Sequence, residues 1–314
     1  MRFVIALGGN AMTSTDGSAR PEDQEAAIVT AMCEVANLVA VGHEVVLTHG
    51  NGPQVGNLLL KNEMAAEVVP PVPLDWCGAQ TQATIGMLVL NALDAELAAR
   101  GLSTCTAALV SRTLVSADDP AFANPTKPIG RYATAAEAKL MIDHGQHWID
   151  LGERGWRRVV ASPEPLKTLD FDAAQALLST GYVVVCSGGG GIPTVQRDGD
   201  RFAGIEAVID KDLSASILAA QVGADALVIA TDVDAAIVEY GTAQARSLGE
   251  TTTSQMRALA ADGHFAAGSM GPKVEAVTRF AERTGRTGVI TSLPQIHAAV
   301  AGNGGTRVVP DNQS

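Results

Sequence analysis

The sequence predicts an α/β protein whose mainly parallel central sheet is covered by helices on both faces. Short runs rich in Val and Ile alternate with longer amphipathic runs along most of the 314 residues. The short runs are apolar throughout, which is typical of strands buried on both faces of a parallel sheet. Hydrophobic residues make up 46% of the chain but aromatic residues only 4%, so we expect a core of Ala, Val, Leu and Ile.

The individual elements can be assigned from this alternation. Residues 3–7 form the first buried strand, because two glycines end the apolar run too early for a signal peptide. A helix begins near Pro21, since Pro suits the first helical position and two acidic residues follow it. Its expected apolar face consists of Ile28, Met32, Val35 and Val39. The later strands are predicted at residues 44–47, 104–109, 158–160, 182–186, 226–230, 287–290 and 306–309. The later helices are predicted from about residue 53 and at residues 77–100, 172–179, 211–222, 254–261, 272–283 and 294–301.

One segment, residues 116 to about 157, interrupts the alternation of strands and helices. It is rich in Pro and Asp at first and in His and Trp later, with a weak helix near residues 134–142. We interpret it as an excursion that carries Lys127 away from the sheet. The sequence contains no internal repeat and no low-complexity linker, which favours a single domain over residues 1–314.

Composition excludes several classes of function. The net charge of −12 and a pI near 4.9 argue against nucleic-acid binding, which needs a basic surface. No apolar run approaches the roughly 20 residues that span a bilayer, so no membrane association is expected. The four cysteines are widely scattered, which is typical of a reduced, cytoplasmic protein. An anionic substrate would need positive charge supplied by a few particular residues.

The lysines suggest which residues supply that charge. The chain has 16 Arg but only six Lys, and Lys127, Lys211 and Lys273 lie in stretches of Gly, Pro and Asp that suit neither helix nor strand interiors. Lysine offers a compact, mobile charge that can follow a phosphoryl group. Three solvated loop lysines, present by chance, are the alternative.

Four glycine-rich loops follow predicted strands or precede helices, at residues 8–11, 49–53, 187–191 and 268–271. Ligands of parallel sheets bind at such loops, where glycine lets backbone N–H groups approach an anion. Four loops together indicate a polyanionic ligand or a phosphoryl group in transfer. Neither a P-loop nor a dinucleotide fingerprint is present.

Two acidic positions adjoin these loops. Asp212 is predicted to cap a helix, and it could also hold Lys211 and another cation in place. Residues 231–234 end a strand with two carboxylates, which would contact a nucleotide or water around Mg²⁺. A solvated turn is the alternative for residues 231–234.

As an ordered set, these motifs resemble the amino acid kinase family, and within it the branch that acts on carbamate. The resemblance covers nearly the whole chain. Its motifs are ALGGNA at 6–11, THGNGPQVG at 48–56, PLD at 73–75, CGA at 77–79, NPTKPIG at 124–130, GGGGIP at 188–193, EAVIDKD at 206–212, TDVD at 231–234 and GSMGPKV at 268–274. Many family members carry a lysine two residues before the first Gly-Gly, where this chain has Ala6. In the carbamate branch a lysine of a protruding subdomain replaces it, and Lys127 lies in the matching motif.

The resemblance implies an open three-layer αβα sandwich with a protruding subdomain at about 116–157. Residues 1–165 would form the acceptor half and residues 166–314 the nucleotide half of a protein that forms a homodimer. The implied reaction is reversible phosphoryl transfer between carbamoyl phosphate and ADP, giving ATP and carbamate, which breaks down to ammonia and CO₂. Mg²⁺ would accompany the ATP or ADP, without a protein side chain expected as metal ligand.

The resemblance also implies roles for single residues. Lys127 and Lys211 would stabilise the transferring phosphoryl oxygens, with Asp212 orienting the lysines. The acceptor and the transferred phosphate would be bound by Gly8, Gly9, Asn10, Gly50, Asn51, Gly52, Gly188, Gly189 and Gly190. The nucleotide would be bound by Thr231, Asp232, Val233, Asp234, Tyr240, Met270 and Lys273.

Two loops depart from the family pattern, at residues 131–133 and 161–165. Both belong to the excursion or its root, so they bear on the identity of the acceptor. A kinase for another small carboxylic acid is therefore an alternative, with Arg112 or Arg131 as a possible partner for a distal carboxylate. A non-catalytic sensor of nucleotide or carbamoyl phosphate is a further alternative.

Overall fold

The computed structural model describes residues 1–9, 20–143, 145–199, 201–266 and 268–311, so Asn10 lies outside the described residues. The strands are β1 (Arg2–Leu7), β2 (Glu44–His49), β3 (Thr106–Ala108), β4 (Arg112–Leu114), β5 (Lys127–Ala133), β6 (His147–Asp150), β7 (Trp156–Val160), β8 (Lys167–Thr168), β9 (Val183–Val185), β10 (Ile192–Gln196), β11 (Phe202–Gly204), β12 (Ala226–Thr231), β13 (Ile237–Val238), β14 (Arg246–Ser247), β15 (Glu250–Thr252), β16 (Thr287–Ser292) and β17 (Thr306–Val309). The helices are α1 (Pro21–Ala40), α2 (Gly52–Ala65), α3 (Leu74–Ala99), α4 (Pro120–Ala123), α5 (Ala135–Asp143), α6 (Phe171–Ser179), α7 (Lys211–Gln221), α8 (Thr253–Ala261), α9 (Met270–Thr284) and α10 (Ile296–Val300).

Eight strands form the main sheet, in the spatial order β15–β17–β16–β12–β1–β2–β9–β3. All neighbouring pairs are parallel except β16 and β17, which are antiparallel. The predicted mainly parallel sheet is thus confirmed. Since β1 lies between β12 and β2, the loops that leave these three strands emerge side by side.

Helices cover both faces of this sheet, which makes a three-layer αβα sandwich as expected. Alternate residues of a strand point to opposite faces. Phe3, Ile5 and Leu7 pack on one face with α1, α3 and α10. Val4 and Ala6 pack on the other face with α6, α7, α8 and α9. Both clusters are built mainly from aliphatic side chains, as the composition predicted.

The excursion forms a separate antiparallel sheet in the order β5–β7–β6. Along the chain, the next strand that belongs to the main sheet is β9. The prediction that residues 158–160 form a strand is confirmed, but their inclusion among the main-sheet strands was wrong. They lie in β7, which pairs with β5 and β6. Lys127 does not lie in a loop either, because it begins β5 opposite Val160.

A four-stranded sheet, β11–β10–β4–β8, was not predicted. Its strands have two to five residues, too few for a periodic pattern to be recognised. A 3-10 turn, Gly188–Gly190, connects β9 of the main sheet to β10 of this sheet. The small sheet therefore fixes where the third glycine-rich loop lies.

Two further observations concern the surroundings of the protein. None of the described helices is at once long and apolar enough to cross a bilayer. Cys33, Cys77, Cys105 and Cys186 all carry free thiols.

Candidate active site

The loops after β1 and β2 meet at the carboxyl edge of the main sheet. The backbone N–H of Gly8 donates to the carbonyl of Ala230 at 2.8 Å, and that of Gly50 donates to the carbonyl of Leu7 at 2.8 Å. A Cβ built on Gly50 would lie 2.6 Å from the backbone nitrogen of Gly9. Any side chain at position 50 would therefore force the two loops apart.

The third glycine-rich loop packs against the second. A Cβ on Gly189 would lie 2.2 Å from Nδ2 of Asn51, and Gly189 has a φ of +66°. Asn51 Nδ2 donates to Thr81 Oγ1 of α3 at 2.8 Å, which fixes the amide beside this loop. Sequence reasoning missed Thr81, because a threonine within a long helix gives no signal of its own.

Gln82 of α3 also holds the third glycine-rich loop, and the sequence analysis did not predict this role. Its Nε2 donates to the carbonyls of Gly188 at 2.8 Å and Ser111 at 3.0 Å, while its Oε1 accepts from the N–H of Ser111 at 2.9 Å. A buried side-chain amide thus ties the glycine loop to the chain just before β4.

His49 is buried beneath these loops and is neutral at physiological pH. Burial lowers its pKa to about 4, although the hydrogen-bonded contact with the backbone of Gly50 opposes this shift. The nearby charge of Lys211 adds to the lowering. Its Nδ1 lies 2.9 Å from the carbonyl oxygen of Gly50. A neutral, fixed ring of this kind supports the loop rather than supplying positive charge.

The first turn of α7 supplies two of the predicted catalytic residues. Asp210 is its N-cap, with Oδ1 accepting from the N–H groups of Asp212 at 2.9 Å and Leu213 at 3.3 Å. The prediction that Asp212 caps this helix was therefore wrong by two residues. The pattern Asp-Lys-Asp offers two possible caps, and the helix begins at Lys211.

Asp212 instead lies between two lysines. Its Oδ1 contacts Lys211 Nζ, and its Oδ2 accepts from Lys273 Nζ of α9 at 3.2 Å. Burial would raise the pKa of Asp212, but the two ammonium groups outweigh it and lower that pKa. Burial lowers the pKa of Lys211, with Lys273 adding to the effect and Asp212 opposing it. The cluster thus holds two cations and one anion almost out of contact with water.

Lys127, which belongs to the excursion, lies beside the first turn of α7. Its Nζ donates to Asp210 Oδ2 at 3.1 Å, while the other oxygen of that carboxylate caps α7. Asp210 stood in the motif that carries Lys211, but no role was predicted for it. Its position explains how one side chain contacts both β5 and the helix that carries Lys211.

These residues enclose a cavity of about 200 Å³. Its lining includes the predicted residues Gly8, Gly9, Gly50, Asn51, Gly52, Lys127, Gly189, Lys211, Asp212, Thr231 and Lys273. Three lysines and several glycine N–H groups around so small a space can hold a phosphoryl group and neutralise its charge. No side-chain nucleophile is needed for direct phosphoryl transfer.

Other predicted residues lie elsewhere among the described part of the chain. Gly188 lines the adjoining larger cavity, and the carbonyl of Gly190 accepts from Thr113 Oγ1 and Ser214 Oγ, both at 2.8 Å. Asp234 accepts from Ser292 Oγ at 2.5 Å, and Tyr240 is 78% exposed. The remaining predicted residues outside the small cavity are Asp232, Val233 and Met270.

The larger cavity, of about 590 Å³, opens between α2 and the β5–β7–β6 sheet. It shares Asn51, Lys127 and Gly189 with the smaller one, so the two cavities adjoin there. Arg131 lines it and is paired with Glu63 and Glu137, whereas Arg112 is bound to Asp170 and lines neither cavity.

A metal ion would find few free ligands here. No group of three His, Cys, Asp or Glu side chains that could hold a metal occurs in the described part of the chain. The two carboxylates of the small cavity, Asp210 and Asp212, are already paired with lysines.

Comparison with known proteins agrees with this geometry. The amino acid kinase family matches residues 1–292. A carbamate kinase of Trichomonas vaginalis is 42% identical over 314 residues, covering 99% of this chain and 100% of that protein. A carbamate kinase of Pyrococcus furiosus is 42% identical over 314 residues, covering 98% and 99%.

Among solved structures, the chain is likewise similar to a carbamate kinase. The carbamate kinase from Giardia lamblia bound to AMP-PNP is 42% identical, with a TM-score of 0.93, over 99% of this chain and 98% of that chain. An isopentenyl phosphate kinase, at 16% identity and a TM-score of 0.56 over 98% of this chain and 100% of that chain, shares the fold alone.

Proposed function

The chain belongs to the amino acid kinase family, and from that membership and the lysine cluster we propose that it is a carbamate kinase. It transfers the phosphoryl group of carbamoyl phosphate to ADP, and in reverse that of ATP to carbamate. The observation that carries this proposal is the convergence of Lys127, Lys211 and Lys273 on one small cavity beside the glycine loops.

In the forward direction the bond between the carbamoyl oxygen and phosphorus breaks as a β-phosphate oxygen of ADP bonds to phosphorus. The carbamate released then decomposes to ammonia and CO₂. Lys127 and Lys211 neutralise the equatorial oxygens of the phosphoryl group in flight, and Lys273 holds the nucleotide phosphates. Asp212 touches both Lys211 and Lys273, so it keeps the two ammonium groups at a fixed separation.

The acceptor side is formed by backbone donors. Gly9 and Gly52 offer N–H groups without side chains that would fill the cavity, and Asn51 adds its amide. The N–H groups of Gly8 and Gly50 instead hold the loops in place through Ala230 and Leu7. The absence of an unpaired arginine from the small cavity's lining in the described residues supports an acceptor with no distal carboxylate.

The nucleotide lies on the other side, along Thr231 and the start of α9. The loop of residues 231–234, together with Tyr240 and Met270, lines its base and ribose. Mg²⁺ arrives as part of the nucleotide substrate, where it neutralises phosphate charge. The protein's own contribution is to hold the lysines and the glycine loops around the phosphoryl group.

The deciding assay measures ATP formed from ADP, Mg²⁺ and carbamoyl phosphate, with acetyl phosphate as a parallel donor. We expect rapid ATP formation that prefers carbamoyl phosphate and requires Mg²⁺. Lys211→Ala serves as the negative control. ADP binding without turnover would contradict the proposal and favour a kinase for another small carboxylic acid or a sensor.

We also propose that the chain acts as a homodimer in the cytoplasm. One edge of the main sheet, β3, pairs only with β9 among the described strands. Beside it lies a groove lined by the exposed Trp76, Val110 and Phe202. Light scattering on the purified protein should give twice the chain mass of 32.3 kDa, and Trp76→Glu should shift it toward the monomer. A monomeric wild-type protein would contradict this.

A further inference from the structure

The larger cavity has an unusual distribution of charge. Its lining includes Lys127, Arg131 and Arg157 and no Asp or Glu, as far as the described residues go. Two of these cations have carboxylate partners from outside the lining: Asp210 for Lys127, and two glutamates for Arg131. The cavity therefore presents positive charge to whatever occupies it.

Arg157 lacks such a partner. Its Nε is buried and makes no hydrogen bond, and its guanidinium forms no ion pair within the described chain. Its guanidinium lies over the ring of Tyr132, with Cζ 5.1 Å from the ring centroid. Aromatic contact fixes the plane of a guanidinium but does not satisfy its N–H groups. The Nη groups of Arg157 also have no hydrogen-bond or ion-pair partner among the described residues, and Arg157 lines the cavity, so an oxyanion there would supply the acceptor that the protein does not.

The backbone holds Arg157 toward this space. Arg157 pairs with Tyr132 where the register of β5 and β7 shifts between Ile129 and Tyr132. Irregularities of this kind redirect side chains and are common beside functional sites. The shift lies in β5, two to five residues beyond Lys127, so Arg157 and Lys127 stand on one small sheet and line one cavity.

The two cavities together are larger than one substrate requires. The small cavity measures about 200 Å³ and the larger about 590 Å³, and they adjoin at Asn51, Lys127 and Gly189. Carbamoyl phosphate is a compact dianion. An outer anion position therefore fits beside the inner one.

We propose that Arg157 forms an outer phosphate-binding position in this cavity, where the carbamoyl phosphate dianion is captured before it moves inward to Lys127 and Lys211. This inference rests on the proposed carbamate kinase activity. Arg157 is a binding residue for the incoming anion and contributes little once the phosphoryl group lies among the lysines.

Steady-state kinetics of Arg157→Gln provide the first test. Losing a charge-assisted hydrogen bond should raise KM for carbamoyl phosphate about 10-fold, while kcat and KM for ADP change less than about twofold. Arg157→Lys keeps the charge but not the planar fork, so about a threefold rise is expected. Arg283→Gln, an exposed arginine at the far end of α9, is the matched control and should leave KM unchanged.

Three results would overturn the inference: an unchanged KM in both Arg157 variants, a fall in kcat without a rise in KM, or an equal rise in KM for Arg283→Gln. If Arg157→Gln does not fold, Arg157→Lys alone decides, since it is the milder change and still predicts a raised KM.

A binding measurement separates this inference from the proposed reaction. Calorimetric titration of the nucleotide-free protein with inorganic phosphate should give about 10-fold weaker binding for Arg157→Gln than for wild type. Equal phosphate binding would overturn the outer site even if the enzyme turns over carbamoyl phosphate. Absence of turnover with a phosphate affinity that depends on Arg157 would overturn only the proposed reaction.

Discussion

Asp212→Asn removes the one anion between two buried ammonium groups, so its effect can be worked out from the structure. Asp212 is 3% exposed and contacts both Lys211 and Lys273. Opposite charges about 4 Å apart attract by about 4 kcal/mol at an effective dielectric constant of about 20. Rearrangement of Lys273 will reduce this, but the pKa of Lys211 is still expected to fall.

The direction of the effect follows from the charges. Burial already lowers the pKa of Lys211, and Asp212 is the main group that opposes it. Without that carboxylate, Lys211 loses its proton at lower pH, and the active, protonated form disappears earlier as pH rises. The alkaline limb of the rate profile should move toward neutrality, and kcat at the optimum should fall by about 10²-fold.

The assay is initial-rate ATP formation between pH 6 and 10, fitted for kcat/KM with carbamoyl phosphate. Asp172→Asn is a suitable control, because Asp172 is an exposed first-turn aspartate of α6. An alkaline limb at the same pH in Asp212→Asn and wild type, with both folded, would falsify the assigned coupling between Asp212 and Lys211.

Three further predictions test other parts of the site. Lys127→Ala should lower kcat by about 10²- to 10³-fold with ADP affinity within about threefold of wild type, and unchanged turnover would remove Lys127 from the mechanism. Gly50→Ala should lower the free energy of unfolding by about 1–3 kcal/mol and reduce activity, because its Cβ would meet Gly9; Gly249→Ala, with no atom within 4 Å of its Cβ, is the control in urea denaturation. His49 has a pKa near 4 when folded, below its unfolded value of about 6.5, so protonation favours the unfolded chain. Its contribution to stability is present above the unfolded pKa and falls by about 2 kcal/mol between pH 7.5 and 5; a His49→Gln protein with the same pH dependence would contradict this.

The main sheet could be predicted because its strands are continuous apolar runs ended by glycine. Residues 3–7 and 226–230, for example, differ from the observed β1 and β12 by one residue at one end. The four-stranded sheet could not be predicted, since strands as short as Lys167–Thr168 have no detectable period. Residues 158–160 were assigned to the wrong sheet because composition gives a strand but not its partners.

The candidate site was predictable to a similar extent. Motifs with unusual residues, such as the glycine loops and the lysines, pointed to the cavity that they line. Asp210, Thr81 and Arg157 act through spatial neighbours that are 30 or more residues away or on another strand, so no local pattern marked them. Asp212 was assigned the right neighbours but the wrong place in its helix, since two aspartates flank Lys211.

The pairing of Lys127 with Asp210 has a consequence for affinity. In the proposed reaction the incoming phosphate binds the Lys127 ammonium group that Asp210 Oδ2 contacts, so the two anions compete for it. With the Lys127 side chain 36% exposed, such a pair contributes at most about 1 kcal/mol, and displacing it weakens binding by less than about 10-fold. In return, the released carboxylate still caps α7 through its other oxygen. Without substrate, Asp210 thus neutralises the Lys127 ammonium group, a role that the phosphate dianion takes over in the proposed reaction.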